Sequence, residues 1–327
     1  MAPRLSHALW LAAALALLNG CGSTPGLKPA ELTEFKATAI LKPLWEGGVG
    51  IGGGLVLLGT PRGRVLAFDR EGKPLWQTQL TSEVLAPPEA QEGIVVARTG
   101  DGRIYGLDAA TGKNRWVYQR STPSLSVRSH AGVVITQGGV FAGFPGGRLV
   151  ALALTNGNIG WEGVVALPRG TTELERVADV TSLPVVDGKQ VCAAAFQGRV
   201  ACFEGSRGTL LWARDVSSIA GIATDARHLY VTDDRGAVQA LDKSSGASIW
   251  RQDKLAGRNV SGPLALGRHV VVGDFEGYVH LISREDGAFA ARIETDGSAI
   301  LAAPVALDAT SFLVQTRSGG IYAFTVQ

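Results

Sequence analysis

Apolar and polar positions along residues 101–116 divide into two short blocks around a polar cluster. The stretch D-G-R-I-Y-G-L-D-A-A-T-G-K-N-R-W predicts a strand over Arg103–Leu107, then a turn built from Asp108, Thr111 and Gly112. A second strand is entered at Trp116. Apolar runs flanking an Asp/Thr/Gly cluster are hairpin chemistry, because those residues accept the backbone angles and hydrogen bonds a tight turn needs. The same phrase is written again as GRVLAFDREGKPLW (63–76), GRLVALALTNGNIGW (147–161), GRVACFEGSRGTLLW (198–212) and GAVQALDKSSGASIW (236–250). GYVHLISREDGAFAA (277–291) keeps the pattern but has Ala where the others have Trp, and GIYAFTVQ (320–327) stops after its first strand.

That makes seven copies whose first glycines stand 38 to 51 residues apart. A period near 40–45 with room for four strands per unit predicts an all-β propeller of four-stranded antiparallel blades. The remaining blade strands are expected at Gly93–Ala97, Val133–Thr136, Pro184–Val186, Val191–Phe196, His228–Thr232, His269–Gly273 and Phe312–Gln315. Pro43-Leu44-Trp45 supplies a Trp with no repeat strand before it, while the last copy has a first strand and no Trp strand after it. The two defects complement each other. The strand at Trp45 is therefore expected to complete the last blade, leaving seven blades and no free chain-end sheet edge. Every Trp outside the first twenty residues then occupies one structural slot, which reads as packing between blades. Gly48–Gly53 matches the dinucleotide fingerprint G-x-G-x-x-G, but it follows no βαβ unit and leads into a strand, so it carries no nucleotide site.

Composition narrows the picture. A chain of 327 residues with 46% hydrophobic content can bury a large core, and 43 glycines suit a fold with a turn every ten residues or so. The formal charge of +2 provides no electrostatic footprint for nucleic acid. Residues 1–20 form a signal peptide: Arg4 and His7, then the apolar run Ala8–Leu18, too short for a membrane span. The run ends in Leu18-Asn19-Gly20-Cys21, which resembles a bacterial lipobox and so implies Cys21 as the lipidated residue, the alternative being an ordinary signal peptide followed by an unrelated Cys. Gly22 stands where an Asp would favour the inner membrane. Residues 21–42, polar with two prolines, are expected to be a flexible tether, and residues 43–327 a single propeller domain.

Chemistry has little support. The five histidines are scattered without ligand spacing, as ordinary strand-end or surface residues, and no G-x-S-x-G elbow is present. Glu285-Asp286 fall in a repeat turn. No catalytic residue, metal site or cofactor is expected. Cys192 and Cys202 flank the turn at Gln197-Gly198; a two-residue loop there sets Cys202 opposite Ala193, one residue off, which favours two buried thiols over a disulfide. Two connections depart from plain turn chemistry: the polar insertion Pro168–Val180, which lengthens one repeat to 51 residues, and the charged turn Thr232-Asp233-Asp234-Arg235.

The repeat A-[LF]-D-x-x-[TS]-G-x-x-x-W resembles the pyrroloquinoline-quinone-type propeller repeat, found in quinoprotein dehydrogenases and in proteins without enzymatic activity. Thr172–Val180 with Pro184-Val185-Val186, Val271–His280 and Pro123–Arg128, together with the lipobox, resemble the propeller lipoproteins of the outer-membrane β-barrel assembly machinery. That resemblance implies a non-enzymatic scaffold on the periplasmic face of the outer membrane. It would dock on periplasmic domains of the central barrel subunit and assist unfolded outer-membrane proteins, offering them sheet edges. It implies docking through two loops, one matched by Leu174, Glu175 and Arg176 and the other by Asp233 and Asp234. The family norm is eight blades, one more than counted here. A quinoprotein dehydrogenase would need a Glu/Asn/Asp calcium site and adjacent cysteines, and a sugar- or ligand-binding propeller would need unpaired aromatics at strand ends. Neither pattern is present.

Overall fold

The computed structural model describes residues 30–36, 41–46 (backbone and pairing), 54–121, 123–127 and 131–327. It is all β: seven antiparallel sheets, six of four strands and one of three. In chain order the blades span residues 56–79, 89–118, 134–164, 185–214, 221–252, 264–294 and 305–326. The three-stranded sheet is blade 1, where the innermost strand is absent among the described residues. The N-terminal strand Leu41–Glu46 pairs antiparallel with Ile321–Val326, from Leu41 opposite Val326 to Glu46 opposite Tyr322. The closure expected from the two complementary defects is thus how the seventh blade is completed.

In each later blade the first strand is innermost and only two to four residues long, and from blade 2 through blade 7 these strands neighbour one another in turn. These short strands, such as Glu89–Gln91 and Leu264–Leu266, carry too few residues to show alternation. The second and third strands are buried on both sides, and the fourth is the outer edge. Two faces follow. One carries the Asp-x-x-Thr-Gly turns between third and fourth strands; we call it the turn face. The other carries the turns between second and third strands and the connections between blades; we call it the loop face.

The repeated Trp explains why the blades stack. Trp76, Trp116, Trp161, Trp212 and Trp250 each donate the indole N–H to a carbonyl in the next blade's turn: Ala109, Leu154, Gly205, Lys243 and Arg284, at 2.7–2.9 Å. Each ring also covers the turn glycine of that next blade; a Cβ on Gly208, where φ is +69°, would lie 2.6 Å from Trp161. Only glycine combines that left-handed angle with an indole at contact distance. Ala291 replaces Trp in blade 6, and the reason is topological. Blade 7 has no turn between its third and fourth strands, because Ile321–Val326 is the third and Leu41–Glu46, from the other side of the ring's closure, is the fourth, so no glycine waits to be covered. The core is correspondingly a series of inter-blade layers, such as Phe141, Leu149, Trp161, Ala178, Val191 and Phe203 between blades 3 and 4.

Three expectations need correcting. Cys192 lies directly opposite Cys202, and the two form a disulfide. The connection is five residues long and centred on Gln197, which takes φ +48°, with Ala195 N–H donating to Arg199 O at 3.0 Å; a loop of odd length moves the register by one. His280 is no strand-end or surface residue but fully buried. Residues 30–36 are not free tether: Leu32 and Phe35 pack on the apolar cluster of Trp250, Leu255 and Phe289. Cys21, the lipobox and the rest of the expected signal peptide lie outside the described residues.

A candidate docking site on the loop face

The insertion at 168–180 joins the outer strand of blade 3 to the inner strand of blade 4, and it divides in two. Residues 168–176 are exposed, whereas Val177, Ala178 and Val180 insert between the blades. Asp179, 2% exposed, ties the buried half down: its carboxylate accepts from Val127 N–H at 2.6 Å and Gly146 N–H at 2.9 Å.

The exposed half has a defined shape. Thr172 Oγ1 accepts from Glu175 N–H at 3.2 Å, while Glu175 Oε2 accepts from Thr172 N–H at 3.0 Å and Thr171 N–H at 2.8 Å. This reciprocal T-x-x-E pairing is capping-box geometry on a single turn. Those donors hold the Glu175 carboxyl at a pKa of about 2, far below the usual glutamate value. Glu175 therefore shapes the loop, and its neighbours are what the loop presents. Leu174 is 70% exposed, the most exposed large apolar side chain among the described residues, and Arg176 is exposed beside it.

Gln197, on the adjacent second-to-third-strand turn of blade 4, supports this loop from below. With its amide nitrogen turned to the loop it donates toward the carbonyls of Leu174, Glu175 and Val177 at 3.2, 3.1 and 2.9 Å. Its own N–H donates to Ser217 Oγ at 2.8 Å, and Ser217 O accepts from Asp234 N–H at 3.0 Å. The Leu174 loop and the Asp233-Asp234 turn are thus linked through Gln197 and Ser217 on one face. Sequence reasoning passed over both bridging residues; the signal available was a Gln before Gly198 at the centre of a turn.

The two acidic residues have different positions. Asp233 is 8% exposed, and its carboxylate accepts from Arg235 N–H (3.1 Å), Ala237 N–H (2.8 Å) and Gln239 Nε2 (3.1 Å) while pairing with Arg251 Nη2 at 2.9 Å. Asp274 builds the equivalent turn of blade 6 the same way, with Glu276 and Tyr278 N–H both at 3.0 Å. Asp233 is turn architecture. Asp234 is exposed. Around the site, the axial opening of the loop face is a cavity of about 680 Å³ lined by Leu183, Ile219 and Leu301, each roughly half exposed. No group of three or more His, Cys, Asp or Glu side chains able to hold a metal occurs among the described residues.

Residues 26–252 match the family described as outer membrane protein assembly factor BamB. The chain belongs to the BamB family. The BamB of Nitrosomonas eutropha is 53% identical over 283 residues, covering 86% of this chain and 69% of the relative. The BamB of Pseudomonas aeruginosa is 34% identical along nearly its whole length, covering 98% of this chain and 99% of the relative. That alignment runs over 377 positions, against 327 residues in this chain. Among solved structures, the crystal structure of BamB from Moraxella catarrhalis superimposes with a TM-score of 0.79 at 28% identity, covering 84% of this chain and 82% of that one. A quinohemoprotein alcohol dehydrogenase from Pseudomonas putida shares the fold at a TM-score of 0.64 and 13% identity, which speaks to the fold alone.

Proposed function

We propose that this chain is a non-enzymatic scaffold lipoprotein of the outer-membrane β-barrel assembly machinery. It is held by lipid at Cys21 on the periplasmic face of the outer membrane and docks on periplasmic domains of the central barrel subunit. The observation that carries the reading is Leu174: an apolar side chain kept 70% exposed on a loop that a capping box and Gln197 hold in shape. Preorganised apolar exposure is costly in solution and is recovered on binding, about 2 kcal/mol for a fully buried Leu. Arg176 adds a planar charged fork and Asp234 a rim of opposite sign, while Glu175 and Asp233 hold the two loops in position.

A second part of the reading concerns unfolded outer-membrane strands. The outermost blade strands carry exposed apolar side chains, including Leu75, Val117, Ile159, Leu210 and Ile249, and they are open edges. An extended peptide can add to such an edge by backbone hydrogen bonds, with the apolar row selecting its side chains.

The test is recovery of the central barrel subunit from outer membranes with lipidated wild type beside Leu174→Ala/Arg176→Ala. Both residues are exposed, so the variant folds. Recovery by wild type and loss in the variant is the expected result. Recovery by both would move the docking site elsewhere, and recovery by neither would refute the scaffold reading.

A further inference from the structure

The short segment 30–36 is strapped to the outside of the propeller, and its path has a direction. At its start, Ala30 N–H donates to Ala256 O at 2.8 Å, and Ala30 O accepts from Arg258 Nη1 at 3.3 Å. Ala256 and Arg258 belong to the connection between blades 5 and 6, whose Gly257 N–H bonds Arg235 O in the turn next to Asp234. The strap therefore begins on the loop face. At its other end Phe35 meets Phe289, the first residue of the outer strand of blade 6, with ring centroids 5.4 Å apart, and Arg292 lies 5.2 Å from the Phe35 ring. From there the chain reaches Leu41, which pairs with Val326 at the turn-face end of blade 7.

The clasp beneath the strap is built, not incidental. Arg258, 3% exposed, binds Asp274 through Nε at 2.7 Å and Glu276 through Nη2 at 2.5 Å, leaving Nη1 for the strap carbonyl. His280 Nε2 donates to Asp274 Oδ2 at 2.9 Å and its Nδ1 accepts from Arg292 Nε at 3.1 Å, which fixes the guanidinium that covers Phe35.

We infer that this strap orients the anchored protein. The propeller strand it feeds starts on the turn face, so a loose N-terminus would leave from there. The strap carries the chain across the blade and releases it on the loop face, beside Asp234. It also shortens the lead: from Cys21 to Ala30 the chain can span at most about 30 Å, against about 70 Å from Cys21 to Leu41 if the strap were free. The loop face, with Leu174 and Asp234, is thereby held toward the bilayer. The inference rests on Cys21 being the lipidated residue.

Lipidated full-length protein on phospholipid vesicles carrying a headgroup acceptor dye provides the test. A donor dye is placed on the exposed loop-face position of Arg317→Cys or the exposed turn-face position of Glu285→Cys. Transfer to the membrane should be stronger from position 317, by roughly two-fold or more for a dye pair whose Förster distance matches the ~30 Å reach. Leu32→Asp/Phe35→Asp should abolish or reverse the difference. Inserting ten Gly/Ser residues before Ala30, which keeps every contact described for residues 30–36, should shrink it and serves as a second perturbation independent of strap packing. Equal transfer from the two positions in protein that floats with the vesicles would overturn the orientation while leaving the anchor intact. Failure to float would overturn the anchor and the orientation together.

Discussion

Replacing Asp233 and Asp234 separately asks whether adjacent acidic residues do different work. In Asp233→Ala, the N–H of Ala237 and the Nε2 of Gln239 lose their acceptor, and both residues are almost fully buried, at 1% and 8% exposure. Leaving a buried donor unpaired costs about 1–3 kcal/mol each. The Arg251 pair adds about 0–1 kcal/mol, since the arginine side chain is 45% exposed and largely solvated. The expected loss is therefore about 2–7 kcal/mol. With a urea slope of about 3 kcal/mol/M, that lowers the unfolding midpoint by about 1–2 M. Asp234→Ala removes an exposed side chain and should leave stability within about 0.5 kcal/mol. Its effect should appear in recovery of the central barrel subunit, as a fall in yield and a faster salt-sensitive dissociation. Urea titration followed by Trp fluorescence and the membrane pull-down read the two effects. An unchanged midpoint in Asp233→Ala, or an equal drop in Asp234→Ala, would refute the division.

Gln197→Ala should loosen the Leu174 loop and weaken the pull-down while shifting the urea midpoint little, because the carbonyls it leaves can turn to water; unaltered recovery would show that the loop needs no support. Trp161→Phe keeps most of the ring but leaves Gly205 O without its donor, so a loss of about 1–2 kcal/mol is expected in urea titration with docking intact. Burial beside Arg292 and Arg258 holds the His280 pKa below the usual histidine value even though Asp274 opposes the shift. The unfolded chain takes up that proton first, so the stabilisation is complete above pH ~6.5 and declines as pH falls below it. The midpoint should drop between pH 7.5 and 5, and His280→Gln should flatten that slope.

Much of this protein could be read from the chain because the repeat is redundant. A Trp written in register and a turn glycine four residues earlier recur until chance is excluded, and the two half-repeats at the ends admit one economical completion. The Leu174 loop was legible too, as a long polar insertion with an apolar residue inside it. The tether was misread because residues 30–36 have no period. Leu32 and Phe35 gain partners only where Trp250, Phe289 and Arg292 converge. A three-dimensional neighbourhood assembled from three distant stretches leaves no local pattern.

The same division runs through the site. The sequence by itself determined the all-β class, the number of blades, the inter-blade role of the Trp residues and the ring's completion by the N-terminal strand. Each of these follows from periodicity, which is a property of one dimension. Only the tertiary structure decided that Cys192 faces Cys202, that Asp233 is spent on its own turn while Asp234 is exposed, and that Ala30 is held on the loop face. Those outcomes depend on a one-residue change in loop centre, on which carboxylate the backbone donors surround, and on contacts between residues more than two hundred positions apart. Register, burial and long-range contact are set when the blades pack, after local preference has had its say.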